Sequence, residues 1–138
     1  MLLLWHKKHN LWTAPGGHVE PNELPRDTAH REAMEEAGCE IELIRQENLW
    51  LEFPLSKSIE RPYLMCLEEI PAIGDKPAHQ HIDCIFVAKL KSQTTALEEH
   101  KMRWCTHEEA MNLQPEKEIF PDSQKVIDHL FQTALVLT

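Results

Sequence analysis

The residues best suited to chemistry are three glutamates that lie close together on a predicted helix. Glu32, Glu35 and Glu36 stand at positions i, i+3 and i+4, so a helix would project all three from one face. Three like charges so close repel one another, and a helix gains nothing from that repulsion. A hard divalent cation would neutralise them, because Mg²⁺ prefers carboxylate, carbonyl and water oxygens. The spacing therefore raises the hypothesis of a magnesium site directed at phosphate.

The same glutamates also have a plainer interpretation, as a solvated helix face. In that case an ion pair between Arg31 and Glu35, at i and i+4, would stabilise the helix by about 0.3–0.5 kcal/mol. On spacing alone the plainer interpretation is preferable. The residues around the glutamates decide between the two.

Those residues form a pattern whose seven fixed positions span 22 residues. It reads Gly, five residues, Glu, seven residues, Arg-Glu, one apolar residue, any residue, Glu-Glu, any residue, Gly, and a last apolar residue. The fixed positions are Gly17, Glu23, Arg31, Glu32, Glu35, Glu36 and Gly38, with Ala33 and Cys39 at the apolar ones. This spacing resembles the Nudix box, the signature of the Nudix hydrolase superfamily. Seven matches at fixed spacing seldom arise by chance, so the metal site is the favoured interpretation.

The resemblance implies an α+β structure, the Nudix fold, in which a mixed β-sheet lies in a three-layer α/β/α sandwich. It also implies hydrolysis of a diphosphate linkage in a nucleoside diphosphate derivative, by attack of a metal-activated water on phosphorus. The implied cofactor is Mg²⁺ or Mn²⁺. By the same resemblance its ligands would be the carboxylates of Glu32, Glu35 and Glu36 and the carbonyl of Gly16.

The resemblance assigns further roles around the metal. Arg31 would hold the carboxylates in place by ion pairs. The general base is left open between a box glutamate, for which Glu32 is preferred, and a glutamate of a later loop, for which Glu99 is held in reserve. The residues implied to brace the box are Gly17, Glu23 and Gly38.

Two other classes of protein use the same fold. A binding or regulatory module would hold a ligand without turning it over, and it would be expected to have lost box glutamates, whereas this chain keeps them all. An isomerase of the isopentenyl diphosphate type would need a cysteine context that is not evident here. Hydrolysis is therefore the preferred function, with the non-catalytic module as the alternative.

A second group of residues is a candidate for substrate binding. His79, His81 and Asp83 alternate along a predicted strand and would point to one side, so they could ligate a transition metal or hold substrate phosphate. Equally, the histidines could hydrogen-bond neighbouring loops. His18, after the glycine pair, and Arg61 are further candidates for the same pocket. The other side of the strand is predicted to be core, with Ile82, Cys84, Phe86 and Ala88.

The elements that must position these residues can be outlined from the sequence. Pro25 at the first helical position and Gly38 after the last one bound the carboxylate helix, although Leu24 is a poor cap. A capping box starting at Thr106 opens a short helix to Leu113, and Pro121 opens a final amphipathic helix. The predicted strands are Leu2–Trp5, Leu11–Ala14, Cys39–Leu43, Leu49–Phe53, Tyr63–Glu69 and His79–Leu90, with loops at Pro54–Pro62 and Lys91–Leu97.

Length and charge limit the kind of protein and its partners. The 138 residues are expected to form one domain, 1–138. The net charge of −9 argues against nucleic acid or an anionic membrane as the main partner and fits a small diphosphate bound through a cation. The first residues are too short an apolar stretch for a signal peptide or membrane span, so a cytoplasmic location is expected.

The first strand suggests a partner of another kind. Nudix proteins usually have a strand ahead of the one predicted at Leu2–Trp5, and its absence would leave a sheet edge open. We therefore expect either a start upstream or a homodimer that covers this edge.

Overall fold

A computed structural model describes residues 1–94 and 101–133, which contain three helices and nine strands. Seven of the described strands follow one another between α1 and α2, and helices and strands are thus segregated along the chain, so the expected α+β class is confirmed. The helices are α1 Pro25–Ala37, α2 His107–Met111 and α3 Pro121–Gln132. The strands are β1 Leu2–His6, β2 Leu11–Thr13, β3 Cys39–Leu43, β4 Glu52–Phe53, β5 Ser56–Lys57, β6 Leu64–Ile70, β7 His79–Ile85, β8 Ala88–Gln93 and β9 Met102–Trp104.

The described strands form four sheets: β2-β1-β9, β3-β8, β4-β5 and β6-β7. Every ladder is antiparallel. Parallel pairing within the described residues is limited to isolated bridges, such as the one between Trp12 and Ile119. The prediction of a single mixed sheet is therefore wrong for the described strands.

Strand β1 joins the two hydrophobic clusters of the core. Its leucines alternate in direction, as residues of a strand do, and an unbroken apolar run is typical of a strand covered on both faces. Leu3 packs with residues of α2 and α3, whereas Leu2 and Leu4 pack with α1 and β3. The buried members of the first cluster are Leu3, Trp12, Cys105, Ala110, Ile119 and Ile127, and those of the second are Leu2, Leu4, Ala33, Ala37 and Cys39.

The expectation of an open edge at β1 is wrong. Strand β1 is central in its sheet, because β9 pairs with it on the side opposite β2, with Leu3 opposite Arg103. Strand β9 has three residues and lies about a hundred positions from its partner, so no local pattern indicated it. The pairing removes the reason given for a covering partner, and the homodimer stays an untested prediction.

The long strand predicted for His79–Leu90 is in fact two strands with different partners. Strand β7 pairs with β6, and β8 pairs with β3. The chain changes partner at Phe86 and Val87, where the Val87 carbonyl accepts a hydrogen bond of 2.7 Å from the Ile44 amide. A hydrophobic pattern indicates that residues are extended, but it does not reveal which strand they pair with.

Helix α1 begins and ends where the sequence predicts. Leu24 is its N-cap and makes no side-chain capping bond, and Pro25 is its first residue. Gly38 ends the helix in the left-handed region, at φ 61°, where a Cβ would also press on the Thr94 hydroxyl. The helix therefore depends on tertiary contacts at its start, since its cap contributes little.

Two other predictions about local structure have opposite outcomes. The capping box is confirmed. The Thr106 hydroxyl accepts a hydrogen bond from the backbone amide of Glu109, and the Glu109 carboxylate accepts one from the backbone amide of Thr106. The predicted strand Leu49–Phe53 shrinks to Glu52–Phe53, which pairs with Ser56–Lys57 inside the predicted loop. Among the described residues, no helix is long and apolar enough to cross a membrane.

Burial of β1 leads to a stability prediction. Leu3 is fully buried, so Leu3→Ala should lower the free energy of unfolding by about 2–5 kcal/mol through lost apolar contacts and a cavity. Leu55 is fully exposed, and Leu55→Ala should change the free energy of unfolding by less than about 0.5 kcal/mol. Urea denaturation of both variants measures the difference. Equal losses would contradict the central position of β1.

Candidate active site

The guanidinium of Arg31 is the centre of the predicted site. It binds both oxygens of the Glu23 carboxylate, with Nε to Oε1 at 2.8 Å and Nη2 to Oε2 at 3.1 Å. Its Nη1 donates to Glu32 Oε1 at 2.7 Å and to Glu35 Oε2 at 3.2 Å, and Nη2 donates to the His18 carbonyl at 3.0 Å. These bonds raise the pKa of Arg31 above its usual range, led by those to Glu23 and Glu32. One side chain thus joins the loop to the carboxylate face of α1.

Glu23 is the most firmly held carboxylate of the site. Besides Arg31, it accepts from the Thr28 hydroxyl at 2.7 Å and from the Glu20 amide at 3.0 Å. Its side chain is 14% exposed. These donors stabilise the ionised form and lower the pKa of Glu23 to about 2, with the Arg31 bond the largest cause. The geometry links the loop before the helix to the first two turns of α1.

The two glycines of the turn have different steric environments. A Cβ on Gly17 would overlap the carboxyl group of Glu32, so only glycine allows this close approach. A Cβ on Gly16 would meet no described atom within 4 Å. The Gly16 amide instead donates to Glu36 Oε1 at 2.8 Å. The turn therefore lies directly against two of the three box glutamates.

The donor set of this face fits a hard divalent cation. It consists of carboxylate oxygens beside a backbone turn, and Arg31 binds only one oxygen each of Glu32 and Glu35. Within residues 1–94 and 101–133, no three His, Cys, Asp or Glu side chains already surround a common point. Arg31 and the Gly16 amide donate hydrogen bonds to these carboxylates and partly offset their charge. Ligation would require rotation of side chains, of which Glu35 is 60% exposed and Glu32 is 14% exposed.

The histidine candidates are brought together beside the turn. The His18 and His81 rings meet edge to face with centroids 5.3 Å apart, and the His79 and His81 centroids are 4.9 Å apart. Asp83 lies on the same strand and is exposed. The predicted core on the other side of the strand is wrong, since Ile82 is 70% exposed. Met65 and Leu67, which lie on the same face of the hairpin, are also exposed.

Arg61 is placed elsewhere. It lines a concavity of about 410 Å³ together with Arg26, His30 and Arg45. Arg26 and His30 are four residues apart on α1 and lie on a different helix face from the box glutamates. The reserve base Glu99 lies outside the described residues, as does the whole segment 95–100.

Sequence reasoning missed two residues that contact the candidate groups. Thr28 is buried and binds Glu23, yet a threonine inside a helix carries no signal of its own. Glu68 lies opposite His81 in the β6–β7 ladder, with its Oε2 3.6 Å from the His81 Nδ1. Only the register of the two strands reveals that contact.

Comparison with known proteins gives a family match over most of the chain. The NUDIX domain family matches residues 1–130. The RNA pyrophosphohydrolases of Psychrobacter cryohalolentis and Psychrobacter arcticus are each 32% identical over 91 residues, or 58% of this chain and 53% of theirs. The chain thus spans about half the length of the curated relatives it matches.

Two solved structures resemble the fold along nearly the whole chain. A hydrolase of the NUDIX family from Clostridium perfringens is 28% identical with a TM-score of 0.69, and the match covers 99% of this chain and 87% of that one. The Ap4A hydrolase of C. elegans is 20% identical with a TM-score of 0.54, over 99% and 85% of the two chains. At that identity the second match supports the fold alone.

The hydrogen bonds of Glu23 predict how stability depends on pH. Its folded pKa of about 2 lies below the ordinary 4.5, so its contribution is complete above pH 4.5 and decreases as the pH falls towards 2. Glu23→Gln should therefore be less stable than wild type at neutral pH, and the gap should narrow in acid. Urea denaturation across this pH range measures the difference in the free energy of unfolding between the variant and wild type. Glu20→Gln is the control, because Glu20 contributes its backbone amide. A gap that is constant down to pH 2 would contradict the assignment.

The two glycines provide a matched pair for the metal hypothesis. Gly17→Ala should weaken Mn²⁺ binding about 10- to 100-fold, because its methyl group displaces the Glu32 carboxylate. Gly16→Ala keeps the carbonyl and has space for a methyl group, so its affinity should change little. Mn²⁺ titration followed by electron paramagnetic resonance reports both affinities. Equal weakening in the two variants would contradict the role of the close approach at Gly17.

Proposed function

The chain belongs to the Nudix hydrolase family, and from this we propose that it is a metal-dependent diphosphohydrolase. The reaction is cleavage of a diphosphate linkage in a nucleoside diphosphate derivative by attack of water on phosphorus. The observation that carries the proposal is the network of Arg31, in which one guanidinium orders Glu32, Glu35 and the loop carbonyl of His18. Such a network holds carboxylates in fixed positions, which is what a metal site requires.

The proposed roles follow from these contacts. Glu32, Glu35 and Glu36, with the Gly16 carbonyl, hold Mg²⁺ or Mn²⁺, and Arg31 orients two of the carboxylates. The bound ion supplies charge neutralisation of the phosphate oxygens and lowers the pKa of a water. Glu32 is our preferred proton acceptor. Of the two helix carboxylates that Arg31 contacts, that of Glu32 is less exposed than that of Glu35. Glu99 is kept as the alternative base.

Glu23 acts at a distance from the reacting atoms in this proposal. It fixes Arg31 through two hydrogen bonds, and Arg31 in turn fixes Glu32. Gly17 and Gly38 complete the bracing, one by admitting the Glu32 carboxyl group and the other by ending the helix. We extend the proposal to the three-layer α/β/α arrangement, which is supported by the separate packing of β1 against α1 and against α2 and α3.

The class of substrate follows from charge and from the relatives. The net charge of −9 favours a small anion bound through a cation over an extended nucleic acid. The name of the curated relatives points to a diphosphate linkage in RNA. We therefore propose a nucleotide-containing diphosphate, and an RNA bearing a 5′-triphosphate belongs among the substrates to be tested.

The test is product release from a panel of dinucleoside polyphosphates, nucleotide sugars and RNA with a 5′-triphosphate, in Mg²⁺ or Mn²⁺. Wild type should turn over at least one class, and Glu36→Gln should lower kcat/KM about 10²–10³-fold, because a charged group of the site is lost. Glu40→Gln should retain activity, since Glu40 pairs with Lys91 at 2.9 Å on the surface of β3.

Two outcomes would defeat the hydrolase proposal. One is the absence of turnover by wild type across the whole panel, which would favour the ligand-binding module. The other is undiminished turnover in Glu36→Gln.

A further inference from the structure

The register of the β6–β7 hairpin gathers metal-binding side chains on one face. Residues directly opposite each other in an antiparallel ladder share a face. The pairs His79–Ile70, His81–Glu68 and Asp83–Cys66 therefore lie in succession on the same side. This face is next to the Nudix turn, because the His81 ring contacts the His18 ring. The opposite face carries Met65, Leu67, Glu69, Gln80, Ile82 and Cys84.

The polar contacts of two histidines bear on what their other ring nitrogens can do. His79 Nδ1 lies 3.0 Å from the Pro77 carbonyl, which only accepts, so Nδ1 carries the proton. His81 Nδ1 faces the Glu68 carboxylate at 3.6 Å, which favours the same tautomer. In the neutral imidazole each Nε2 is then an acceptor with a lone pair. That nitrogen suits a Lewis acid and does not donate to a phosphate oxygen.

The pattern is the usual one for histidine ligands of metals. A ligating imidazole commonly donates its other N–H to a carbonyl or carboxylate, which fixes the ring and makes the ligating nitrogen more basic. Here the His79 Nδ1 donates to a carbonyl at 3.0 Å, and the His81 Nδ1 faces a carboxylate at 3.6 Å, just beyond hydrogen-bond distance. The acidic neighbours Glu68 and Asp83 also favour a cation over an anion at this face.

We propose that His79, His81 and His18 bind a transition metal of the Zn²⁺ class, at a site separate from the carboxylate site on α1. Imidazole ligands prefer such borderline metals, whereas the box glutamates suit Mg²⁺. As noted for the box, no three such side chains in the described segments already surround one point, so a side chain moves on binding. The exposed side chain of His18 permits this movement. Binding joins the hairpin to the turn that bears Gly16 and Gly17.

The other close histidine pair provides a matched control. The His6 and His9 rings have centroids 4.6 Å apart, yet His6 Nδ1 accepts the His9 amide and both rings contact Phe120. Their environment therefore lacks the carbonyl and carboxylate partners that His79 and His81 possess. His9→Ala removes one imidazole from the chain without touching the proposed site.

Zn²⁺ titration by calorimetry in excess Mg²⁺ tests the proposal on the full chain. Wild type, His9→Ala and Glu36→Gln should each bind one Zn²⁺ per chain with similar affinity. His79→Ala and His81→Ala should weaken that binding at least about tenfold. In protein with ¹⁵N-labelled histidine, Zn²⁺ should shift the Nε2 resonances of His79 and His81 and leave their Nδ1 protonated. None of these readouts depends on turnover, so the result is independent of the hydrolase proposal.

Several results would contradict the proposed Zn²⁺ site. Unchanged Zn²⁺ affinity in both His79→Ala and His81→Ala would do so, as would loss of binding in Glu36→Gln or in His9→Ala. A shift of the two Nε2 resonances by inorganic phosphate but not by Zn²⁺ would show an anion subsite instead.

Discussion

The site depends on the placement of one guanidinium among three carboxylates. Glu23, Glu32 and Glu35 would repel one another if brought together alone, and Arg31 contacts all three at 2.7–3.2 Å. The planar fork binds both oxygens of Glu23 and still reaches the helix glutamates, which a lysine could not do. Loop and helix are therefore joined by charge at the point where the helix start lacks a side-chain cap.

Close packing complements this electrostatic centre. Ala33 and Ala37 are buried against β1 and β3, and small side chains let α1 approach the strands. Gly17 has the same function on the other side of the helix, where it admits the Glu32 carboxyl group. The glutamates are thus held on a helix fixed from both sides. Rigid support of this kind keeps functional side chains in position at little entropic cost during binding.

What the sequence predicts well is local, and what it misses is long-range. The bounds of α1, the strand Cys39–Leu43 and the capping box at Thr106 are signalled by neighbouring residues, and all three are confirmed. The pairing of β9 with β1 and the division of His79–Leu90 between two partners depend on residues far away in sequence. For the same reason the box glutamates were identified from spacing, whereas Glu68 became visible only through strand register.

The contrast between helix and hairpin has a consequence for function. The box lies on α1, which is packed into a core cluster, whereas the β6–β7 hairpin pairs only with itself among the described ladders and exposes Met65, Leu67 and Ile82. Residues of a weakly packed hairpin can change without unfolding the core, because few buried contacts depend on them. The box residues on the helix and the histidines of the hairpin can therefore vary independently. The rings of His18 and His81 join the turn before the helix to the hairpin, so a ligand bound there would contact both.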